Sequence, residues 1–178
     1  MQTHYNPPMP PTEENEYVLG TDDAELARLG FQHRLWSDEA IAHWKRAGFM
    51  PGMRILDLGS GPGFASRDLA QLVGHTGHIT AADISKRYLD FINNTQQENL
   101  AHLAAPIETH LVDAHNIDLP ANSFDACYSR WVLSFTPDPM RIVNRIAQAL
   151  KPGAPFAVQD YSNWPAIFFD DACRAVRL

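Results

Sequence analysis

A glycine-rich turn and three aspartates carry most of the chemistry that can be read from this chain. The run Ile55-Leu56-Asp57-Leu58-Gly59-Ser60-Gly61-Pro62-Gly63-Phe64 joins an apolar stretch to a tight turn and then to helix-forming sequence. Glycine admits positive φ and lets a ligand lie against the main chain, and a helix start offers N–H groups without intrahelical partners. Two ligand classes use such a turn. A dinucleotide fingerprint, G-x-G-x-x-G, begun at Gly59 would need glycine at position 64, where the chain has Phe64; it reads G-x-G-x-G instead, closing at Gly63. Asp57, two residues before the first glycine, would repel a pyrophosphate. It suits a ligand with a cationic group and no phosphate.

Asp83 ends the next apolar run, twenty residues after Gly63. A carboxylate there can accept from both hydroxyls of a ribose. Asp113, followed by Ala114, ends a third run and can accept from an adenine amino group. Each has a plainer alternative: a tight turn for the glycines, a helix N-cap for Asp83, a solvated loop aspartate for Asp113.

These residues need elements to hold them. Hydrophobic periodicity predicts strands over 53–58, 78–83, 107–113, 124–129 and 154–160, with helices over 64–73, 85–99 and 138–150 between them. Before them, Thr21 caps a helix with Leu26, Leu29, His33 and Trp36 on one face. Ser37 caps a second, with Ile41, Trp44 and Ala47, which Gly48 ends. The organisation read from this is a Pro-rich arm over 1–16 (loose, or folded over a ligand), a helical preface or lid over 17–50, and a core over 51–178. Alternating strands and helices imply an α/β fold: a doubly wound, mostly parallel, Rossmann-like sheet with helices on both faces. Its ligand crevice lies at the carboxyl ends of the strands.

Composition limits the partners. The chain has 178 residues, 45% of them hydrophobic, enough for about one domain with its own core. Fourteen basic against 21 acidic residues give a net charge of −7, which argues against nucleic acid and anionic membranes as partners. No apolar run approaches the ~20 residues that span a bilayer, and the start of the chain lacks a signal-peptide pattern. Two cysteines, Cys127 and Cys173, rule out a disulfide framework, so a cytoplasmic location is expected. No paired Cys/His spacing suggests a metal site.

The ordered runs ILDLGSGPG, AADIS, LVDAHNIDLP, FDACYSRWVLSFTPDP and LKPGAPFAVQDY, over roughly residues 51–161, resemble the class I S-adenosylmethionine-dependent methyltransferases. Within them the chain resembles the small-molecule group that includes the ubiquinone/menaquinone-biosynthesis methyltransferases. The resemblance implies S-adenosylmethionine as cofactor and S-adenosylhomocysteine as product. Gly59, Ser60, Gly61 and Gly63 would line its methionine and ribose part, with Asp57 near the methionine amino group. Asp83 would hold the ribose hydroxyls, Ile84 would pack on the adenine, and Asp113 and Ala114 would read its edge. Arg130 would sit near the methionine end and the substrate, and Tyr17 would close over the cofactor carboxylate. Nucleobase and protein-glutamine methyltransferases carry N-P-P-Y or D-P-P-Y after the fourth strand; here Ser129-Arg130-Trp131-Val132 stands there, which points to a small-molecule acceptor.

A sulfonium already carries a good leaving group, so the reaction asks chiefly for alignment, exclusion of water and aromatic faces near the methyl group. Trp131, Tyr161 and Trp164 are the candidates for the last. For a proton leaving the acceptor, His33, His115, Asp160 and Tyr161 are the options. The catalytic candidates are therefore His115, Arg130 and Tyr161. Two other functions stay open: a cofactor-binding module without turnover, and a nicotinamide-dependent oxidoreductase. The resemblance also implies a sheet closed by an antiparallel hairpin. Only 17 residues follow Tyr161, and they read as helical from Pro165, so that hairpin is expected to be missing. Self-association as a homodimer through the exposed fifth strand is the corresponding expectation.

Overall fold

The computed structural model describes residues 22–95 and 104–161. The 1–16 arm, Tyr17, the Thr21 cap, Trp164, Cys173 and the helix expected from Pro165 lie outside them.

Strands β1 (Arg54–Leu58), β2 (His78–Asp83), β3 (Ile107–Leu111), β4 (Ala126–Arg130) and β5 (Phe156–Gln159) form one parallel sheet in the order β3-β2-β1-β4-β5. The winding reverses between β1 and β4, whose carboxyl ends open the crevice. Side chains alternate across the sheet with period two, and the two halves of the core follow that alternation. Ile55, Ile79, Ala126 and Tyr128 pack toward helices α1 (Asp23–Arg46) and α2 (Phe64–Val73). Leu56, Leu58 and Cys127 pack toward α4 (Pro139–Ala149) through Ile142 and Ile146. Helix α3 (Lys86–Thr95) covers Ala81 with Leu89 and Ile92. Local signals start α4: Asp138 accepts from the Arg141 N–H at 3.1 Å and Pro139 takes the first turn.

Helix α2 and strand β2 occupy the expected residues. Two expectations need correction. The preface is one helix of 24 residues, not two. Its N-cap is Asp22, which accepts from the Glu25 N–H at 2.8 Å. Ser37 does not cap; its hydroxyl donates to the Arg34 carbonyl one turn back, an alternative that lets serine sit inside a helix. The buried face of α1 runs through Gly30, His33, Ala40 and Trp44, while Trp36 is exposed. The strand bounds shift by about a residue or two: β3 ends at Leu111 and not 113, β5 spans Phe156–Gln159 and not 154–160, and β4 begins later than expected. Phe124 makes only an isolated bridge to Leu150, and the ladder with β1 starts at Ala126.

Candidate cofactor site

Above the carboxyl ends of β1 and β4 lies a cavity of about 490 Å³, within the usual range for small-molecule sites. Of the expected residues, Asp57, Gly59, Ser60, Gly61, Asp83, Ile84, Asp113, Ala114 and Arg130 stand on its wall, as do His115 and Tyr161. Gly63 does not. It has φ of 76° and caps α2, and a Cβ there would lie 2.5 Å from Ile92 Cγ1. Its lack of a side chain serves the packing of α3 on the turn. Gly61 is the converse: φ is 54°, and a Cβ would meet nothing within 4 Å.

The turn does not present a row of free amides. Gly59 and Ser60 both donate to the Ala82 carbonyl, Gly61 donates to Asp83 Oδ2 at 2.7 Å, and Gly63 donates to the Ser60 carbonyl. A phosphate-binding turn needs such groups for its ligand; here those four are spent on the fold. What the turn offers is room. Asp83 ties the turn to β2, accepting also from the Ser85 N–H at 2.8 Å. Burial raises its pKa, and the backbone bonds from Ser85 and Gly61 partly oppose that. A carboxylate has about four acceptor positions; with the amides of Ser85, Gly61 and Ile84 on Asp83, about one remains for a hydroxyl donor.

Asp57 is 2% exposed and accepts from the Ser66 hydroxyl of α2 at 2.6 Å. Burial pushes its pKa up to about 6; the Ser66 bond and the nearby Arg130 charge hold it from going higher. The strand register explains the neighbourhood. Asp57 lies opposite Tyr128, and Arg130 is two residues further along β4 on the same face. Arg130 crosses the Trp131 ring at 4.8 Å and donates from Nη2 to His33 Nδ1 at 3.1 Å. Its Nη1 is buried with no hydrogen-bond partner. Of the four side chains with such an atom among the described residues (His43, Trp44, Ser129 and Arg130), only Arg130 lies on the cavity wall. An unsatisfied buried donor costs ~1–3 kcal/mol, so an anionic group is the natural partner. Trp131 itself holds φ of 57°, a left-handed conformation that is rare for a bulky residue and collects at functional sites.

The base candidates separate. Both ring nitrogens of His33 are engaged, by Arg130 and by Asp68 Oδ2 at 3.0 Å. Asp160 accepts from the Ser134 hydroxyl and amide and is not on the wall. His115 stands on the wall. Asp113 accepts from its amide and lies 3.1 Å from Nδ1, while Nε2 meets the Thr136 hydroxyl. Asp113 thus spends one oxygen capping the 3-10 turn Ala114–Asn116. Tyr161 stacks on Trp131 at 6.2 Å, and Trp36 meets the same indole edge-on. Sequence reasoning missed Arg28, Leu29 and Gln32 of α1, which form part of the wall. The available signal was Gly30, a helix-interior glycine whose Cβ would lie 3.2 Å from Phe64 Cζ; it marks where α1 closes on α2.

A methyltransferase-domain family matches residues 56–158, and the chain belongs to that family, that of the class I S-adenosylmethionine-dependent methyltransferases. It is 32% identical over 132 residues to a ubiquinone/menaquinone biosynthesis C-methyltransferase from Vibrio cholerae, covering 73% of this chain and 48% of that protein. It is 33% identical to a 2-phytyl-1,4-naphtoquinone methyltransferase from a Nostoc species, covering 73% of this chain and 55% of that one. The chain thus spans about half the length of the curated relatives it matches. A S-adenosylmethionine-dependent methyltransferase from Aquifex aeolicus shares the fold, with a TM-score of 0.67 over 80% of this chain and 74% of that one at 23% identity. The site residues fit the family's cofactor, S-adenosylmethionine, on two local observations: the unsatisfied Arg130 donor and the open space over Gly61. No helix among the described residues is long and apolar enough to cross a membrane.

Proposed function

We propose that this chain binds S-adenosylmethionine in the cavity and serves methyl transfer to O, N or C of a small-molecule acceptor by in-line displacement, leaving S-adenosylhomocysteine. One observation carries the reading. A buried carboxyl, Asp57, and a guanidinium with a spare buried donor, Arg130, stand side by side at the strand ends. They match the α-amino and α-carboxylate groups of an amino-acid tail, a combination no nicotinamide dinucleotide carries. When bound, the cofactor supplies an electrophilic methyl on a good leaving group. The chain's own residues supply alignment and dryness.

In this arrangement Asp83 takes a ribose hydroxyl, Ile84 the adenine face, and Asp113 with Ala114 the adenine edge. Gly59, Ser60 and Gly61 give the tail its room. The rings of Trp131 and Phe135, both in contact with that of Tyr161, form with it the apolar side on which a planar acceptor rests. The quinone-biosynthesis names of the relatives agree with such an acceptor. His115, oriented by Asp113, is our candidate for taking a proton from it, and to do so its Nε2 must exchange the Thr136 hydroxyl for the acceptor. The reaction runs in a reducing, cytoplasmic setting.

Calorimetry tests the first half: S-adenosylmethionine and S-adenosylhomocysteine bind, and NADH does not. Incubation with methyl-labelled cofactor and a panel of phenols, quinols and amines tests the second. NADH binding in their place overturns the reading. Cofactor binding without transfer to any acceptor leaves the chain a binding module.

A further inference from the structure

One buried side chain ties the wall of this cavity to helix α1 and has no part in the roles above. His33 is 8% exposed and lies between Arg130 and Asp68. A guanidinium can only donate, so Nδ1 of His33 is the acceptor for Arg130 Nη2. Nε2 therefore carries the hydrogen and donates to the Asp68 carboxylate of α2. The partners on the two sides fix one neutral tautomer. The ring is also held flat against Phe64, with centroids 5.8 Å apart and 22° between planes. Three elements (α1, α2 and the end of β4) thus meet on a single imidazole, whose hydrogen-bonding capacity is fully used.

We propose that His33 is a positioning residue. By engaging one terminal nitrogen of Arg130, it presents the other, Nη1, to the carboxylate of the bound amino-acid tail. Helix α1 then takes part in recognising that half of the ligand, and does so through a residue that never touches it. Arg130 already has the Tyr128 hydroxyl within hydrogen-bond reach and the Asp57 carboxyl near enough to feel its charge, so without His33 it would be free to turn fully toward either. His33 holds it between them. This inference rests on the proposed cofactor and on the place of Arg130 in it.

Two ligands separate the possibilities: S-adenosylhomocysteine, which has the amino-acid tail, and 5′-methylthioadenosine, which lacks it. Two substitutions separate the two nitrogens. His33→Asn keeps an acceptor near the Nδ1 position and abandons Asp68. His33→Gln keeps a donor near the Nε2 position and abandons Arg130. By calorimetry on the full chain, His33→Gln should weaken S-adenosylhomocysteine ~10-fold, the size of one charge-assisted hydrogen bond, and leave 5′-methylthioadenosine unchanged. His33→Asn should stay within ~3-fold of wild type for both, less than one such bond. Arg130→Gln should erase the preference for the tailed ligand and make His33→Gln silent in the double variant.

The inference is overturned if His33→Gln keeps the full preference, if Asn and Gln lose both ligands alike, or if the double variant is additive. Should the buried substitutions prevent folding, Asp68→Ala, where the side chain is 29% exposed, frees the imidazole to take the other tautomer, whose Nδ1–H cannot accept from Arg130, a freedom that the amide of His33→Asn lacks; it should weaken only the tailed ligand, and an equal loss of both or no change in either overturns the proposal. If the wild type binds both ligands equally or neither, the cofactor reading itself falls, and this inference with it.

Discussion

At the scale of single residues, the turn separates two jobs that glycine does. Gly61 faces open space with φ of 54°, whereas Gly63 backs onto Ile92. Gly61→Val should therefore fold with a loss of ~1–2 kcal/mol from its left-handed backbone and abolish measurable S-adenosylhomocysteine binding, because the side chain enters the cavity. Gly63→Ala should do the reverse in kind, lowering the midpoint of urea unfolding through its clash with α3. A folded Gly61→Val that still bound the ligand would contradict this division.

Asp57 gives a second test at the same scale. Its folded pKa of about 6 exceeds the unfolded carboxyl value. Between pH 4 and 6 the unfolded chain loses this proton first, so the ligand-free protein loses stability as pH rises, by up to about 3 kcal/mol from this group. Below pH 4 the contribution is intact. Affinity moves the other way, since a cationic amino group needs the ionised carboxyl. The dissociation constant of S-adenosylhomocysteine should rise as pH falls through 6, by ~10-fold per unit at most. In Asp57→Asn both slopes should flatten. Parallel trends in stability and affinity would rule out this role.

At the scale of elements, what the chain revealed depended on how local the cause was. Strand β2 and helix α2 are set by short-range periodicity and by the turns that bound them, and they occupy the residues expected. Helix α1 is one helix and not the two expected, because Ser37 does not cap. Whether a serine hydroxyl caps a new helix or bonds back to the carbonyl one turn behind depends on what the following residues pack against. The expected face of α1 does point inward, with His33 and Trp44 buried and Leu26, Leu29, Ile41 and Ala47 half-buried, and of the residues assigned to it Trp36 alone departs. Leu35 and Trp36 are exposed, and the small residues Gly30 and Ala40 are buried, because close approach to α2 and the sheet outweighs side-chain hydrophobicity. That Asp57, Asp83 and Arg130 stand on the cavity wall is legible because strand ends can be located from sequence. The pairing of His33 with Arg130, 97 positions apart, is not, since nothing local encodes it. Trp44 is the anchor of α1, fully buried and edge-on to Tyr128 at 5.2 Å. Trp44→Ala should cost ~3–5 kcal/mol, read as a lower urea midpoint. A change under 1 kcal/mol would mean that α1 is not anchored there.

At the scale of the whole molecule, the wall of the cavity is assembled from stretches that begin at Arg28 and end at Tyr161. Parallel pairing enforces this dispersal, because each neighbour in the sheet must return over a crossover; no short fragment carries half the site. A small ligand seated there bridges segments that the chain itself joins only through long excursions. It would act as a removable staple. At a hundredfold excess over its dissociation constant it should add about 2.7 kcal/mol to global stability, raising the melting temperature. Protection from proteolysis should extend to linkers far from any contact, wherever cleavage proceeds by global opening.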